Sequence, residues 1–368
     1  MWVTEYAHSQ ERLHIAETGD SLQCLASTLG VPIGALLELN PGIGEDELLA
    51  QGQTIIAPGT HCHRGLIVAV SNRGAEPGLI ALDVSSGSVR AIENGGCVWS
   101  TVPRLSPCGD RIAFQGSDGR VRILSVFGGS PTVIRDTPRG FVVPRWSPSG
   151  QMLAWDTDGV TTVVDTLGSE VMQLKGNAPS WVGDGNSILL ACDGTAIRND
   201  LLEGVSYVLE ECPGQVIALH SGAVGSRYAA VIRRDGRMLI ATADWFTGEV
   251  GEIAAPQDLW PWSLVWSPDC KMLAAEAGPQ AGEADVVNIM LFSVVGEDVA
   301  LQPSGLLKVV TDPRYAGLSW NNDSSAVAVS ARMSGGGAFA IYVGEPCGAL
   351  HRLTGLGDCV LPDWGSCV

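Results

Sequence analysis

Residues able to do chemistry are sparse in this chain. Six histidines occur among 368 residues, and only His61-Cys62-His63 brings metal-ligand types together. On an extended segment successive side chains alternate, so His61 and His63 would share a face with Cys62 turned away. A zinc site on that pair needs further ligands that the nearby sequence does not supply. A plain linker over residues 60–64 is the favoured reading, with no cofactor. His220 and His351 stand alone. No G-x-S-x-G, P-loop, H-E-x-x-H or C-x-x-C is present, so the motifs that mark esterases, nucleotide hydrolases, zincins and dithiol oxidoreductases are missing.

The elements behind these residues come from a repeated phrase. Its best copies are Pro103–Phe114, Pro144–Trp155 and Leu264–Ala277; weaker ones are Pro179–Ala191, Leu318–Ala331 and a degenerate Leu219–Ile232. A stub, Leu361–Gly365, follows near the end. Each copy reads as strand, tight turn, strand: Ser-Pro then a small or acidic residue and Gly supplies the turn, and a short apolar run follows. Taking Leu105, Trp146, Trp181, Leu219, Trp266, Trp320 and Trp364 as the repeating position, the spacing is 35–54 residues, the size of a four-stranded propeller blade. The spacing predicts a mainly β fold, a seven-bladed β-propeller; six irregular blades remain if Leu219 does not belong. The phrase tryptophans are expected in the core.

The ends predict the closure. Gly65–Val70, Gly78–Val84 and Val89–Glu93 form a blade lacking its first strand, and the stub is a first strand with nothing after it. Joined, they leave no open sheet edge. The Ser-Pro-Asp-Gly phrase resembles the WD40-like propeller repeat of the TolB type, over roughly residues 64–368.

Composition narrows the partners. The net charge is −18, which argues against nucleic acid and against an anionic membrane surface. No run of 18 apolar residues exists, so membrane insertion is not expected. The start lacks the basic and apolar regions of a secretory signal. Ten cysteines are present. Cys108 and Cys270 share one turn in distant blades and should not pair, whereas Cys97, Cys359 and Cys367 fall near the closing blade, where one bridge is geometrically allowed. Mostly reduced thiols are the favoured reading.

Residues 13–59 follow another pattern, after an extension over residues 1–12. A strand at Leu13–Ala16 leads to Gly19-Asp20-Ser21-Leu22, where Asp20 with Gln23 reads as a capping box. Leu22, Leu25, Ala26 and Leu29 recur at helical spacing. Pro32 opens a second helix carrying Ile33, Leu36 and Leu37, Asn40-Pro41-Gly42 stops it, and Gln53–Ala57 is a second strand. This small N-terminal βααβ module resembles a LysM domain. The resemblance implies binding of N-acetylglucosamine-containing glycan, chiefly peptidoglycan or chitin, in a groove between two loops. On this chain those loops are Gly19, Asp20, Ser21 and Leu22, facing Asn40, Pro41, Gly42 and Ile43. Residues 1–60 hold eight acidic side chains against Arg12 alone, which favours a neutral glycan.

The combination predicts a non-catalytic binding protein: a LysM-like anchor to glycan and a propeller, residues 65–368, that presents a face to a protein partner. Synthesis in the cytoplasm with association to a spore coat, cell envelope or virion fits a LysM module without a secretory signal. Two alternatives stand beside it. One is a homo-oligomeric structural subunit whose LysM-like module docks to protein. The other is a propeller glycan lyase or hydrolase tethered by that module, which requires His, Asp and Glu to converge at the channel mouth.

Overall fold

The computed structural model describes residues 3–4, 11–16, 19–29, 33–58, 65–72, 76–85, 87–93, 96–137, 140–279, 286–295, 299–311, 317–332, 338–345, 350–354 and 358–365. Seven antiparallel sheets of four propeller strands follow one another around a central channel. Blade one is built from both ends of the propeller. Cys359–Gly365 is its innermost strand and pairs with Leu66–Ser71, followed outward by Gly78–Asp83 and Ser88–Glu93. Blades two to seven start at Arg104–Leu105, Arg145–Trp146, Asn177–Trp181, Gln215–Ser221, Leu259–Trp266 and Leu318–Trp320.

The phrase is a turn with a steric demand. Its fourth residue takes a left-handed backbone at Gly109, Gly150, Gly185, Cys270 and Ser324, with φ of 74°, 66°, 72°, 55° and 64°. Glycine does this without strain, as at Gly109, Gly150 and Gly185, whereas Cys270 and Ser324 adopt it as non-glycine residues. The serine that opens the phrase holds the turn: Ser147 Oγ accepts from Met152 N at 3.0 Å, and Ser267 Oγ from Met272 N at 2.9 Å.

Between the blades lies the core. Each of the seven junctions is filled by its own apolar cluster, such as Ala113, Val121, Trp146, Leu153 and Trp155 between blades two and three. The middle strands are buried along most of their length; Val327–Ala331 is buried at every residue. A single blade therefore has two apolar faces, and only stacking covers both.

Strand register corrects the reading of blade five. His220 pairs with Ala229 and Ser221 with Tyr228, as Arg145 pairs with Ala154 and Trp146 with Leu153 in blade three. The residue at the tryptophan position is thus Ser221, two beyond the expected Leu219. A register shift between Val216 and Ala218 accommodates the difference. A short polar residue there left no apolar signal to find.

The N-terminal module folds as strand Glu11–Ile15, helices Leu22–Leu29 and Ile33–Leu39, and strand Thr54–Pro58. Its hairpin is not separate from the propeller. Glu11–Ile15 pairs with Thr54–Pro58 on one edge and, through Arg12↔His351 and Leu13↔Leu350, with the outer strand of blade seven on the other. Val3–Thr4 adds to the outer strand of blade one. Backbone pairing thus covers two sheet edges that would otherwise be open.

Candidate functional site

The residue just before the tryptophan position lines the channel in every blade. Register places Arg104, Arg145, Ser180, His220, Val265, Ser319 and Asp363 in this ring. All seven line one or both of two cavities in the channel, of about 390 Å³ and about 430 Å³, which share Arg145, Trp146, His220, Val265 and Ser319. The first cavity is bordered by phrase-turn residues such as Pro148, Gly183 and Pro268. It therefore opens at the end of the propeller where the first strands finish.

The ring also closes the propeller, through two kinds of hydrogen bond. Where the ring residue carries a short oxygen, the next blade's backbone donates to it. Leu105 N bonds Asp363 Oδ2 at 2.7 Å, Ser221 N bonds Ser180 Oγ at 2.9 Å, and Trp364 N bonds Ser319 Oγ at 2.9 Å. Where it does not, an indole donates to the ring residue's carbonyl. Trp146 Nε1 bonds Arg104 O at 2.9 Å, Trp181 Nε1 bonds Arg145 O at 3.0 Å, and Trp320 Nε1 bonds Val265 O at 3.1 Å. Among the described residues the junction of blades five and six has neither bond. Trp266 Nε1 is buried without a partner there, and so is His220 Nδ1.

The electrostatics follow from burial. Arg104 Nη1 bonds Asp363 Oδ1 at 2.8 Å. Burial, then repulsion from Arg104, pushes Arg145 down to about 10. Burial, then Arg145, pushes His220 down to about 3, so its imidazole is neutral at physiological pH. On blade six, burial pushes Glu276 up to about 7. The set offers donors and one satisfied carboxylate. Among the described residues no group of three or more His, Cys, Asp or Glu is arranged to hold a metal. The pair His61 and His63 lies outside the described residues.

In the N-terminal module the expected groove residues divide. The first loop lies against the chain that continues from the second: Gln23 N bonds Glu45 O at 3.2 Å and Leu49 N bonds Asp20 O at 2.8 Å. Gly19, Pro41 and Gly42 are exposed, and Asp20 and Ile43 are half-buried. Leu22 is fully buried in the module's core with Leu25, Leu36 and Ile55, which corrects its assignment to a sugar face. Asn40 is corrected too. Its amide donates to Leu36 O at 2.7 Å and Ile56 O at 2.6 Å, and its Oδ1 accepts from Ile56 N at 2.8 Å. Every polar atom of that side chain ties the second helix to the strand. Ser21 caps the first helix, with its Oγ accepting from Cys24 N at 3.3 Å. Ser21 is therefore buried and engaged.

Sequence reasoning missed an arc on the propeller. Phe127, Leu167, Leu202 and Phe246 occupy the same turn, between third and fourth strands, in blades two to five, and are 65%, 87%, 77% and 86% exposed. Val295 holds the equivalent position in blade six and is also exposed. The turn is built to present them: Asp165, Asp200 and Asp244 each accept from the backbone N–H two residues on, at 2.9, 3.0 and 2.9 Å, and Ser125 does so at 3.2 Å. First and third strands run in the same direction, so the arc and the mouth of the first cavity share one face. The Asp-x-apolar that follows the third strand in blades three, four and five, with Ser-x-apolar in blades two and six, was the available signal.

Among the described cysteines none is in a disulfide. Cys97 and Cys359 are buried, Cys359 Sγ lies 3.6 Å from Ser71 Oγ, and burial pushes Cys97 up to about 12. Cys367 lies outside the described residues.

No protein-family model matches this chain, and no curated protein does. Among solved structures it is similar to hydrazine synthase of Kuenenia stuttgartiensis, at 15% identity over 66% of this chain and 75% of that one, with a TM-score of 0.52. It is also similar to the β-propeller domain of Cps50 (Swd1) from Myceliophteria thermophila, at 20% identity over 70% and 86%, with a TM-score of 0.51. TolB from Acinetobacter baumannii aligns at 13% identity over 84% and 81%, with a TM-score of 0.48. At these identities the first two likenesses are of fold, and the fold is the β-propeller.

Proposed function

We propose that this chain is a non-catalytic binding scaffold whose propeller docks a protein partner on the face that carries the apolar arc. What carries the reading is the recurrence of one exposed apolar side chain in successive blades: Phe127, Leu167, Leu202 and Phe246, with Val295 beside them. Scattered exposed apolar residues are ordinary; one repeated at the same turn of successive blades, on one face, is the regular arrangement that suits an interaction surface. Each sits on a turn stabilised by its own carboxylate or hydroxyl, so little ordering entropy is lost on binding. The channel, with its donors and one satisfied carboxylate, supports binding better than acid–base chemistry.

The test places a photo-crosslinking residue at position 167 or 246, with position 193 in an opposite-face turn as control, in the intact chain within extract of its source cells. One partner captured from 167 and 246, absent from 193 and lost in Leu167→Glu/Phe246→Glu, supports the reading. Equal capture from all three positions, or none, removes it. Capture of a second copy of the chain replaces it with the homo-oligomeric subunit.

The N-terminal module supports a second reading, glycan binding at a LysM-like groove reduced to Gly19, Asp20, Pro41, Gly42 and Ile43. The contact of the first loop with the chain that continues from the second favours it. Saturable binding to peptidoglycan or chitin oligomers that is lost in Ile43→Asp supports this reading. A folded protein that binds neither polymer removes it, together with the spore-coat or cell-envelope association that rests on it.

A further inference from the structure

The channel holds a charge that the fold does not answer. Its ring carries Arg104 and Arg145 against Asp363. Asp363 is engaged with Arg104 Nη1, Leu105 N and Ser319 Oγ. Arg145 makes no side-chain hydrogen bond or ion pair among the described residues. The other carboxylate acting on it, Asp156, accepts instead from Ala178 N at 3.2 Å. A guanidinium deep in a channel without a partner is costly.

Arg145 is not alone. The same cavity is lined by Trp266 and His220, and both have a buried, unpartnered ring nitrogen, Trp266 Nε1 and His220 Nδ1. The Trp266 indole is left over by the missing hydrogen bond between blades five and six. Elsewhere around the ring an indole N–H in this position is spent on a neighbouring carbonyl. An indole can only donate, and a neutral imidazole has one N–H to donate. Two unsatisfied donors, the Arg145 guanidinium and the Trp266 indole, thus belong to residues lining a cavity of about 390 Å³, with the His220 ring beside them. That complement suits an oxygen-bearing anion and repels a cation.

We propose that this cavity is a binding site for a small oxyanion, a carboxylate or phosphate group held by the Arg145 guanidinium, Trp266 Nε1–H and His220. The site is independent of the apolar arc and of the glycan groove. A ligand that neutralises Arg145 stabilises the propeller in proportion to its occupancy.

The experiment uses the full chain and follows thermal unfolding during titration with sodium phosphate, sodium acetate or sodium chloride at constant ionic strength. A saturable rise in Tm with phosphate or acetate, absent with chloride, is expected, and the more effective salt identifies the anion class. Arg145→Met is expected to weaken the apparent affinity at least tenfold while melting at or above wild type in chloride. Trp266→Phe removes only the unpartnered N–H; it is expected to leave the chloride Tm unchanged and weaken affinity several-fold. Arg120→Met, on the surface, serves as the control and is expected to keep wild-type affinity. No saturable response in the folded wild type overturns the proposal, as does a response unchanged in both Arg145→Met and Trp266→Phe.

Discussion

Gln115 in blade two and Glu276 in blade six stand at the same register position, three residues beyond the partner of Leu105 or Trp266. Gln115 is fully used. Its Nε2 donates to Thr137 Oγ1 at 2.8 Å and Gly140 O at 3.0 Å, and its Oε1 accepts from Val142 N at 3.0 Å. Glu276 is equally buried, yet its Oε1 has no partner. The difference extends to the whole sector. Blades two and three are tied to their neighbours by ring hydrogen bonds, whereas Trp266, His220 and Glu276, on blades five and six, all carry an orphaned polar atom. Near the channel packing holds that junction, through Val231, Leu264, Trp266 and Leu273; its polar tie lies farther out, where Thr242 Oγ1 donates to Val299 O at 2.5 Å. Near the channel, apolar stacking therefore suffices to seat a blade. The polar bonds add register and closure, and where they are absent the protein has capacity to bind.

Three measurements break or sharpen this contrast. Asp363→Ala has the largest expected effect. It removes the acceptor of Leu105 N and the carboxylate bonded to Arg104, leaving Asp156 as the carboxylate acting on Arg145, and costs about 3 kcal/mol, read from the urea midpoint. A cost as small as that of an exposed ion pair would mean that the closing blade does not depend on the ring.

Glu276 comes next and is pH-dependent. Its folded pKa, about 7, lies above the ordinary carboxyl value of 4.5. The folded protein then keeps a proton that the unfolded chain releases between those values. Stability is full below about pH 4.5, falls as pH rises to about 7 and is flat above. Wild type is expected to lose on the order of 2 kcal/mol relative to Glu276→Gln across that window. Parallel pH profiles for the two proteins would remove the assignment.

The smallest effect is the most direct comparison. Trp146→Phe takes away a hydrogen bond to Arg104 O and is expected to cost about 1 kcal/mol. Trp266→Phe takes away an N–H that has no partner and is expected to be neutral within about 0.5 kcal/mol in anion-free buffer. Equal costs for the two would show that the ring bonds do not distinguish the junctions.

The blade count was legible because turn chemistry and β-branched runs are local. Ser-Pro with a left-handed fourth residue needs no distant contact to form, so it could be read at Pro144–Trp155 without neighbours. The position of Ser221 was not legible: a register shift trades Leu219 for a residue with no apolar signature, and only pairing with Tyr228 reveals it. The N-terminal module shows the same division. Its helices followed from the spacing of Leu22, Leu25, Leu36 and Leu37. The burial of Leu22 and the bonding of Asn40 to Ile56 did not, because both depend on the strand Thr54–Pro58, which is distant from them along the chain.

Sequence by itself determined a stack of four-stranded units, their closure by the two ends of the propeller, and the acidic charge that disfavours nucleic acid. Tertiary structure alone decided which side chains meet. Arg104, Arg145, His220 and Asp363 are distant along the chain and share a channel because seven blades place one register position on one axis. Likewise the arc of Phe127, Leu167, Leu202 and Phe246 becomes a surface only when successive blades set equivalent turns side by side. The physical reason is common to both. Turns and strands form from neighbours in sequence, whereas a site in a propeller is assembled by register across blades.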